Sequence, residues 1–168
     1  MSGSSPAPTV LIALGSNLGD PKANVLAAFD KLECLSTRPI LRSSLWYSEP
    51  VDCPPGSPPF INAGAALFPH AGETPESLLT KLQTLEKHFG RQPKQVLNEA
   101  RPLDADLIAW DDQTRQTEVL ALPHPRAHLR AFVICPLAEL APEFILPGQK
   151  QNLAALAARL ADQALSKL

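Results

Sequence analysis

Two dipeptides, Asp20-Pro21 and Thr74-Pro75, constrain this chain more than any other feature. Each sets a side-chain acceptor before a proline. That pair caps a helix N-terminus and fills its first position, where a missing N–H costs nothing. Residues 21–35 then place Val25, Phe29 and Leu32 at helical spacing. After Pro75, Leu78, Leu82, Leu85 and Phe89 make one stripe, and Gly90 supplies a stop. Apolar runs surround these two helices. Residues 9–14 (TVLIAL) read as a buried strand ending in the Gly15-Ser16-Asn17 turn. Residues 40–47 and 60–68 read as two more strands. Between them, Cys53-Pro-Pro-Gly-Ser-Pro-Pro59 must be a stiff loop, because prolines cannot donate to a sheet. A fourth strand, residues 103–110, follows a polar loop at 91–100. The order β-α-β-β-α-β predicts an α+β fold of the ferredoxin-like, split βαβ kind: an antiparallel four-stranded sheet with two helices on one face. The rest is a C-terminal extension. It holds a turn at 111–113, an extended piece at 118–122, a partly helical segment at 131–140 despite Pro136, and an amphipathic helix over 152–165. The other sheet face is left for a ligand or for that extension.

The length, 168 residues, suits a single domain spanning 1–168, with residues 1–8 as a frayed tail. A net charge of −2 favours neither nucleic acid nor an anionic membrane, so a small anion would need a local basic cluster. The three cysteines are odd in number and form no C-x-x-C, which indicates neither a zinc site nor a disulfide framework. There is no basic-then-apolar leader and no apolar run near the ~20 residues of a membrane helix. A cytoplasmic protein without membrane or nucleic-acid partners is expected.

In the fourth strand, Leu103, Ala105 and Leu107 point to one face, and Asp104 and Asp106 to the other. Adjacent carboxylates repel and lose hydration, so they persist most easily around a cation, and hard oxygens suit Mg²⁺. A solvated edge strand would show the same pattern. The flanks weigh against that. Arg91, Lys94 and Arg101 precede the acids, and His124, Arg126, His128 and Arg130 follow. Acids for a metal, bracketed by cations for phosphate oxygens, are what phosphoryl transfer from a nucleotide needs. No P-loop signature is present. Residues 15–19 can hold an anion on backbone donors or be a plain strand–helix turn. His124, rigidly set between Pro123 and Pro125, is a candidate acid or a structural turn residue.

Several ordered motifs together carry a resemblance: ALGSNLGD from Ala13, Tyr47-Ser-Glu-Pro50 with Phe60-Ile-Asn62, Gln83-x-x-Glu86, Arg101-Pro-Leu-Asp-Ala-Asp106, and Leu122-Pro-His-Pro-Arg-x-His-x-Arg-Ala-Phe132. From Ala13 to Pro142 the chain resembles the bacterial 6-hydroxymethyl-7,8-dihydropterin pyrophosphokinases of folate biosynthesis. The resemblance implies transfer of pyrophosphate from ATP to the pterin's hydroxymethyl group, with AMP released. It implies a pair of Mg²⁺ ions on Asp104 and Asp106, with Arg91 and Arg101 as further catalytic residues. It implies pterin contacts from Glu49, Pro50, Asp52, Phe60, Asn62 and Phe132. Gln83, Glu86, Arg91, Arg101, Leu107, His124 and Arg130 match nucleotide or phosphate contacts. A monomer is implied as well. The loop before the acids departs from the family pattern: Pro93 or Lys94 stands for a second arginine, and Asn98 for a tryptophan. A catalytically weak or inactive pterin- or nucleotide-binding paralogue is the alternative this departure motivates. A phosphotransferase acting on another heterocycle is a further one.

Overall fold

In chain order the elements are β1 (Val10–Ser16), α1 (Pro21–Glu33), β2 (Leu41–Arg42), β3 (Trp46–Ser48), β4 (Phe60–Leu67), α2 (Pro75–His88), β5 (Asp104–Trp110), β6 (Arg115–Gln116), β7 (Ala121–Leu122), α3 (Ala131–Leu140), α4 (Leu153–Arg159) and β8 (Leu165–Lys167). This computed structural model describes residues 9–50, 53–91 and 100–168. The expected tail at 1–8, and Asp52, Pro93, Lys94 and Asn98, lie outside the described residues.

Both helix starts form as their residues dictate. The Asp20 carboxylate accepts from the Ala23 N–H at 3.1 Å. Thr74 Oγ1 accepts from the Ser77 N–H at 3.1 Å, and the Thr74 N–H donates back to the Ser77 hydroxyl at 2.9 Å. The main sheet runs β5-β1-β4-β3-β8, with β2 also on β4, and its described pairings are antiparallel. This is the split βαβ strand order with one strand added at the edge. Val25, Phe29 and Leu32 of α1, with Leu78, Leu82 and Leu85 of α2, bury one face against Ile12, Leu14, Ala65, Leu103, Ala105 and Leu107. On the other face, Val133, Ile134 and Leu137 of α3 and Leu153 and Leu156 of α4 cover Leu11, Ala66 and Ile108. The extension therefore occupies only part of the second face. The uncovered part holds the site.

Three expectations change in detail. The strand predicted over 40–47 divides into β2 and β3. The Ser43 N–H donates to the Gly64 carbonyl at 3.0 Å, and the Ser43 hydroxyl accepts from the Gly64 N–H at 2.7 Å. A side chain thus replaces a ladder partner, and four steps from Arg42 to Trp46 oppose three from Ala65 to Asn62, as at a bulge. The C-terminal helix stops at Arg159, and Leu165–Lys167 instead forms β8 on β3. An edge strand with unpaired N–H and C=O groups is a template for such pairing, and β8 satisfies it. The extended piece at 118–122 contributes only Ala121–Leu122, paired with Arg115–Gln116.

Pro136 is tolerated inside α3, which lies directly on β4 at Gly64. A Cβ at Gly64 would come 2.8 Å from Leu137 Cδ2 and 3.3 Å from the Leu137 N and Pro136 C atoms. Gly64→Val is therefore expected to destabilise by roughly 1–3 kcal/mol. Calorimetry should show a melting temperature lower by about 2–4 °C per kcal/mol. An unchanged melting temperature would mean α3 is not held against β4.

Candidate active site

Register builds the floor of the site. Gly15 of β1 pairs with Asn62 of β4 on one side and with Asp104 of β5 on the other. Directly paired residues share a sheet face, so Asn62, Gly15 and Asp104 form a row across three strands. Ala13 pairs with Asp106 one step along. The middle strand thus offers only small residues beneath the polar ones. A Cβ at Gly15 would lie 3.5 Å from Asn62 Oδ1 and 3.8 Å from Phe60 Cδ1. A larger residue there would intrude on both.

The turn after β1 anchors the entry to β5. The Asn17 N–H donates to the Arg101 carbonyl at 3.1 Å, and the Arg101 N–H donates to Asn17 Oδ1 at 2.9 Å. Asn17 Nδ2 donates to the Pro58 carbonyl at 3.2 Å, and the Ser16 hydroxyl to the Pro102 carbonyl at 2.6 Å. The Asn17 donors are committed to positioning Arg101 and the proline loop, not to an anion.

Three carboxylates converge: Glu86 from α2, and Asp104 and Asp106 from β5, with oxygens within 4.8 Å of one another. Glu86 Oε2 accepts from the Ala105 N–H at 2.8 Å and from Arg91 at 2.9 Å. Arg91 also donates to Asp104 at 2.8 Å, and Arg101 lies 3.5 Å from the other Asp104 oxygen. Asp106 accepts no hydrogen bond among the described residues. Burial, then repulsion from Asp104 and Glu86, pushes its carboxyl up to about 8, against the pull of Arg91 and Arg101. Burial, with Asp104 also opposing ionisation, raises Glu86 to about 7 despite the Ala105 N–H. Arg91 is held above its ordinary value: burial opposes this, and Asp104 and Glu86 outweigh it. A hard divalent cation suits this donor set, because it offsets the crowded charge and uses the oxygens of Asp106.

The sign of the pH dependence follows. Glu86 and Asp106, raised from 4.5 to about 7 and from 3.8 to about 8, bind more protons folded than unfolded across those ranges. Stability of the metal-free protein should therefore fall as pH rises from about 4 to about 8. A bound cation must displace those protons, so its affinity should rise across the same range. Isothermal titration with Mg²⁺ at pH 6 and pH 8 checks this; equal affinities would mean the acids do not bind it.

A cavity of about 480 Å³ opens onto this cluster. Glu49, Phe60, Asn62, Arg101, Asp104, Asp106, Arg130 and Phe132, all expected from the sequence, line it. Asn62 Nδ2 donates to the Ser48 hydroxyl at 2.8 Å, which fixes the amide's orientation. The Arg101 guanidinium stands 6.0 Å from the Phe60 ring, and the Arg130 guanidinium 5.6 Å from the Phe132 ring. Each aromatic surface thus has a cation beside it. His124 is tied to β5 by its N–H on the Ile108 carbonyl at 2.9 Å. Its Nδ1 accepts from the Arg126 N–H at 3.2 Å, which assigns the ring proton to Nε2. Burial, then Arg130, lowers its pKa, so the ring is a neutral donor.

Other expected residues lie elsewhere. Glu86 and Arg91 stand behind Asp104. Gln83 is exposed on α2, and none of Gln83, Pro50 and His124 lines the cavity. Leu107 turns its side chain into the helix-side core, as its place on the apolar face of β5 requires, so it can meet a ligand only through its backbone. The cavity also takes in residues that sequence reading did not select: Gly15, Ser48, Cys53, Arg126, Leu129 and the 163–165 segment. Arg126 was visible as one of the basic residues after β5. Gly15 belongs to the turn read as a candidate anion site; strand pairing brings in Ser48 and Leu165, and Cys53, Leu129 and residues 163–164 come from segments between strands that carry no local signal.

Residues 11–142 match the family model described as 7,8-dihydro-6-hydroxymethylpterin-pyrophosphokinase. The chain is 39% identical over 139 residues to the Pseudomonas aeruginosa protein named 2-amino-4-hydroxy-6-hydroxymethyldihydropteridine pyrophosphokinase, covering 82% of this chain and 83% of that one. A Haemophilus influenzae protein of the same name is 34% identical over 160 residues, covering 95% of this chain and 98% of its own. Among solved structures, the wild-type Plasmodium falciparum HPPK-DHPS with pteroate superposes with a TM-score of 0.69 at 13% identity. That match takes in 95% of this chain and 43% of the solved one, so this chain spans less than half of that protein's length, and the likeness concerns the fold alone.

Proposed function

Because this chain belongs to the 7,8-dihydro-6-hydroxymethylpterin-pyrophosphokinase family, we propose that its cavity holds the pterin at the Asn62 end and the ATP phosphates at the Asp104 end. The reaction is transfer of pyrophosphate from ATP to the hydroxymethyl group of 6-hydroxymethyl-7,8-dihydropterin, a step of folate biosynthesis. The hydroxymethyl oxygen bonds to the β-phosphorus, the bond from that phosphorus to the α,β-bridging oxygen breaks, and AMP leaves. The hydroxyl proton passes to solvent water. The observation that carries this reading is the row Asn62–Gly15–Asp104, which sets an amide and a carboxylate on one sheet face with no side chain between them.

Each part of the chain has a task. Phe60 and Phe132 offer flat surfaces for the pterin ring. Asn62, steered by Ser48, reads the ring's donor–acceptor edge, with Glu49 beside it on the cavity wall. Arg101 and Arg130 meet phosphate charge. Neutral His124 donates its Nε2–H. Arg91 keeps Asp104 and Glu86 oriented while leaving Asp106 open. Asp104 and Asp106 would hold Mg²⁺, which supplies charge neutralisation for the triphosphate and polarises the phosphoryl group. A monomer in the cytoplasm is the form proposed for it. No helix among the described residues is long and apolar enough to cross a membrane.

Incubation with ATP, Mg²⁺ and the pterin alcohol should yield AMP and the pterin diphosphate in equal amounts. ADP in place of AMP would overturn the reading. Tight ligand binding without product would leave a pterin- or nucleotide-binding module.

A further inference from the structure

The match to the family model ends at residue 142, yet residues 163–165 form part of the cavity wall. Gln163 is exposed, but its amide is used at both ends. Its Oε1 accepts from the Ala131 N–H at 2.9 Å, and its Nε2 donates to the Leu129 carbonyl at 2.8 Å. These two bonds bracket Arg130, and they hold the turn from which Phe132 follows. Arg130 is the N-cap residue of α3 and makes no side-chain cap there. Gln163 therefore satisfies the N–H of the first residue of α3, one of the donors a helix start leaves without an intrahelical partner. Two residues on, Leu165 pairs with Ser48, whose hydroxyl takes the Asn62 amide. One short segment thus touches both the strand that orients the pterin-reading amide and the turn that presents Arg130 and Phe132.

We propose that Gln163 is a positioning residue for the substrate site, and that β8 and its lead-in are a working wall of that site. Gln163 acts through Arg130 and Phe132 and does not itself touch the reacting atoms. The proposal rests on the pyrophosphokinase reading for the identity of the ligands. It does not rest on it for the geometry: a brace that only stabilised the fold would change melting temperature and leave ligand affinity alone.

The test uses the full chain with Gln163→Leu, which removes both bonds at similar volume, and Gln163→Glu, which keeps the acceptor for Ala131. The readouts are the dissociation constant of the pterin alcohol, from its own fluorescence with a non-hydrolysable ATP analogue and Mg²⁺, KM for each substrate, kcat and melting temperature. Gln163→Leu should raise the pterin dissociation constant and KM about tenfold, the effect expected if the released turn holds its binding arrangement only about a tenth of the time. Gln163→Glu should recover part of that loss, and melting should shift by only a few degrees. Unchanged pterin affinity and KM in Gln163→Leu, with or without a lower melting temperature, would reduce Gln163 to a brace and overturn the proposal. If Gln163→Leu does not fold, Gln163→Glu decides alone: wild-type affinity and KM for both substrates would overturn it. Wild-type protein that binds the pterin without forming AMP would defeat the activity reading instead, and the binding arm would still judge Gln163.

Discussion

Asp106→Ala is expected to abolish AMP formation and leave a cooperatively folded protein. Asp106 accepts no hydrogen bond among the described residues, so the truncation strands no described donor. Its carboxyl, pushed up to about 8 by burial and by Asp104 and Glu86, becomes a source of repulsion in the metal-free protein as it ionises towards and above that pH. Relieving that repulsion should leave the melting temperature unchanged or raise it. The metal site, by contrast, loses the carboxylate most open to a cation. Removing a group that stabilises charge developing in the transition state costs about 10²–10³ in kcat, and a lost metal ligand should exceed that. Steady-state AMP release and a thermal melt on one preparation check both halves. Activity within tenfold of wild type would remove Asp106 from the metal site.

Arg91→Ala should damage both folding and turnover, which separates it from the first variant. The Arg91 guanidinium donates to Glu86 at 2.9 Å and to Asp104 at 2.8 Å, so its loss leaves three converging carboxylates without their nearest cation. Hydrogen bonds to charged groups contribute about 1.5–3 kcal/mol. This cluster is partly exposed, so solvent screening places the loss near the lower end of that range. Without Arg91, Glu86 and Asp106 should titrate higher still, and the fall in metal-free stability with rising pH should steepen. The pterin subsite stands apart from Arg91, so pterin binding should survive while kcat falls about 10²-fold. Wild-type kcat would show that Asp104 is oriented without it.

Much of the fold was legible because capping and alternation are local. Asp20-Pro21 and Thr74-Pro75 start the two helices where expected, and Leu103, Ala105 and Leu107 turn inward where their spacing puts them. The split of residues 40–47 was not legible. Ser43 leaves the ladder because its hydroxyl finds Gly64, twenty-one positions away. Likewise Leu165 reads as the end of a helical stripe until β3 offers it an open edge. The Leu107 side chain shows the converse. Family likeness set it at the nucleotide, while its alternation with Asp104 and Asp106 already directed it to the core.

By itself the sequence determined the helix starts, the succession of the main elements along the chain, the acidic face of β5 and the cations on its flanks, because these depend on near neighbours and on a period of two or 3.6 residues. Tertiary structure alone decided what lies across from those acids. Gly15 stands between Asn62 and Asp104, Glu86 reaches in from α2, and Gln163 holds the turn of Arg130 and Phe132. Side-chain alternation says which face a residue occupies and is silent about which strand or turn will be its neighbour. That choice is made by hydrogen-bond pairing and burial between segments far apart in the chain.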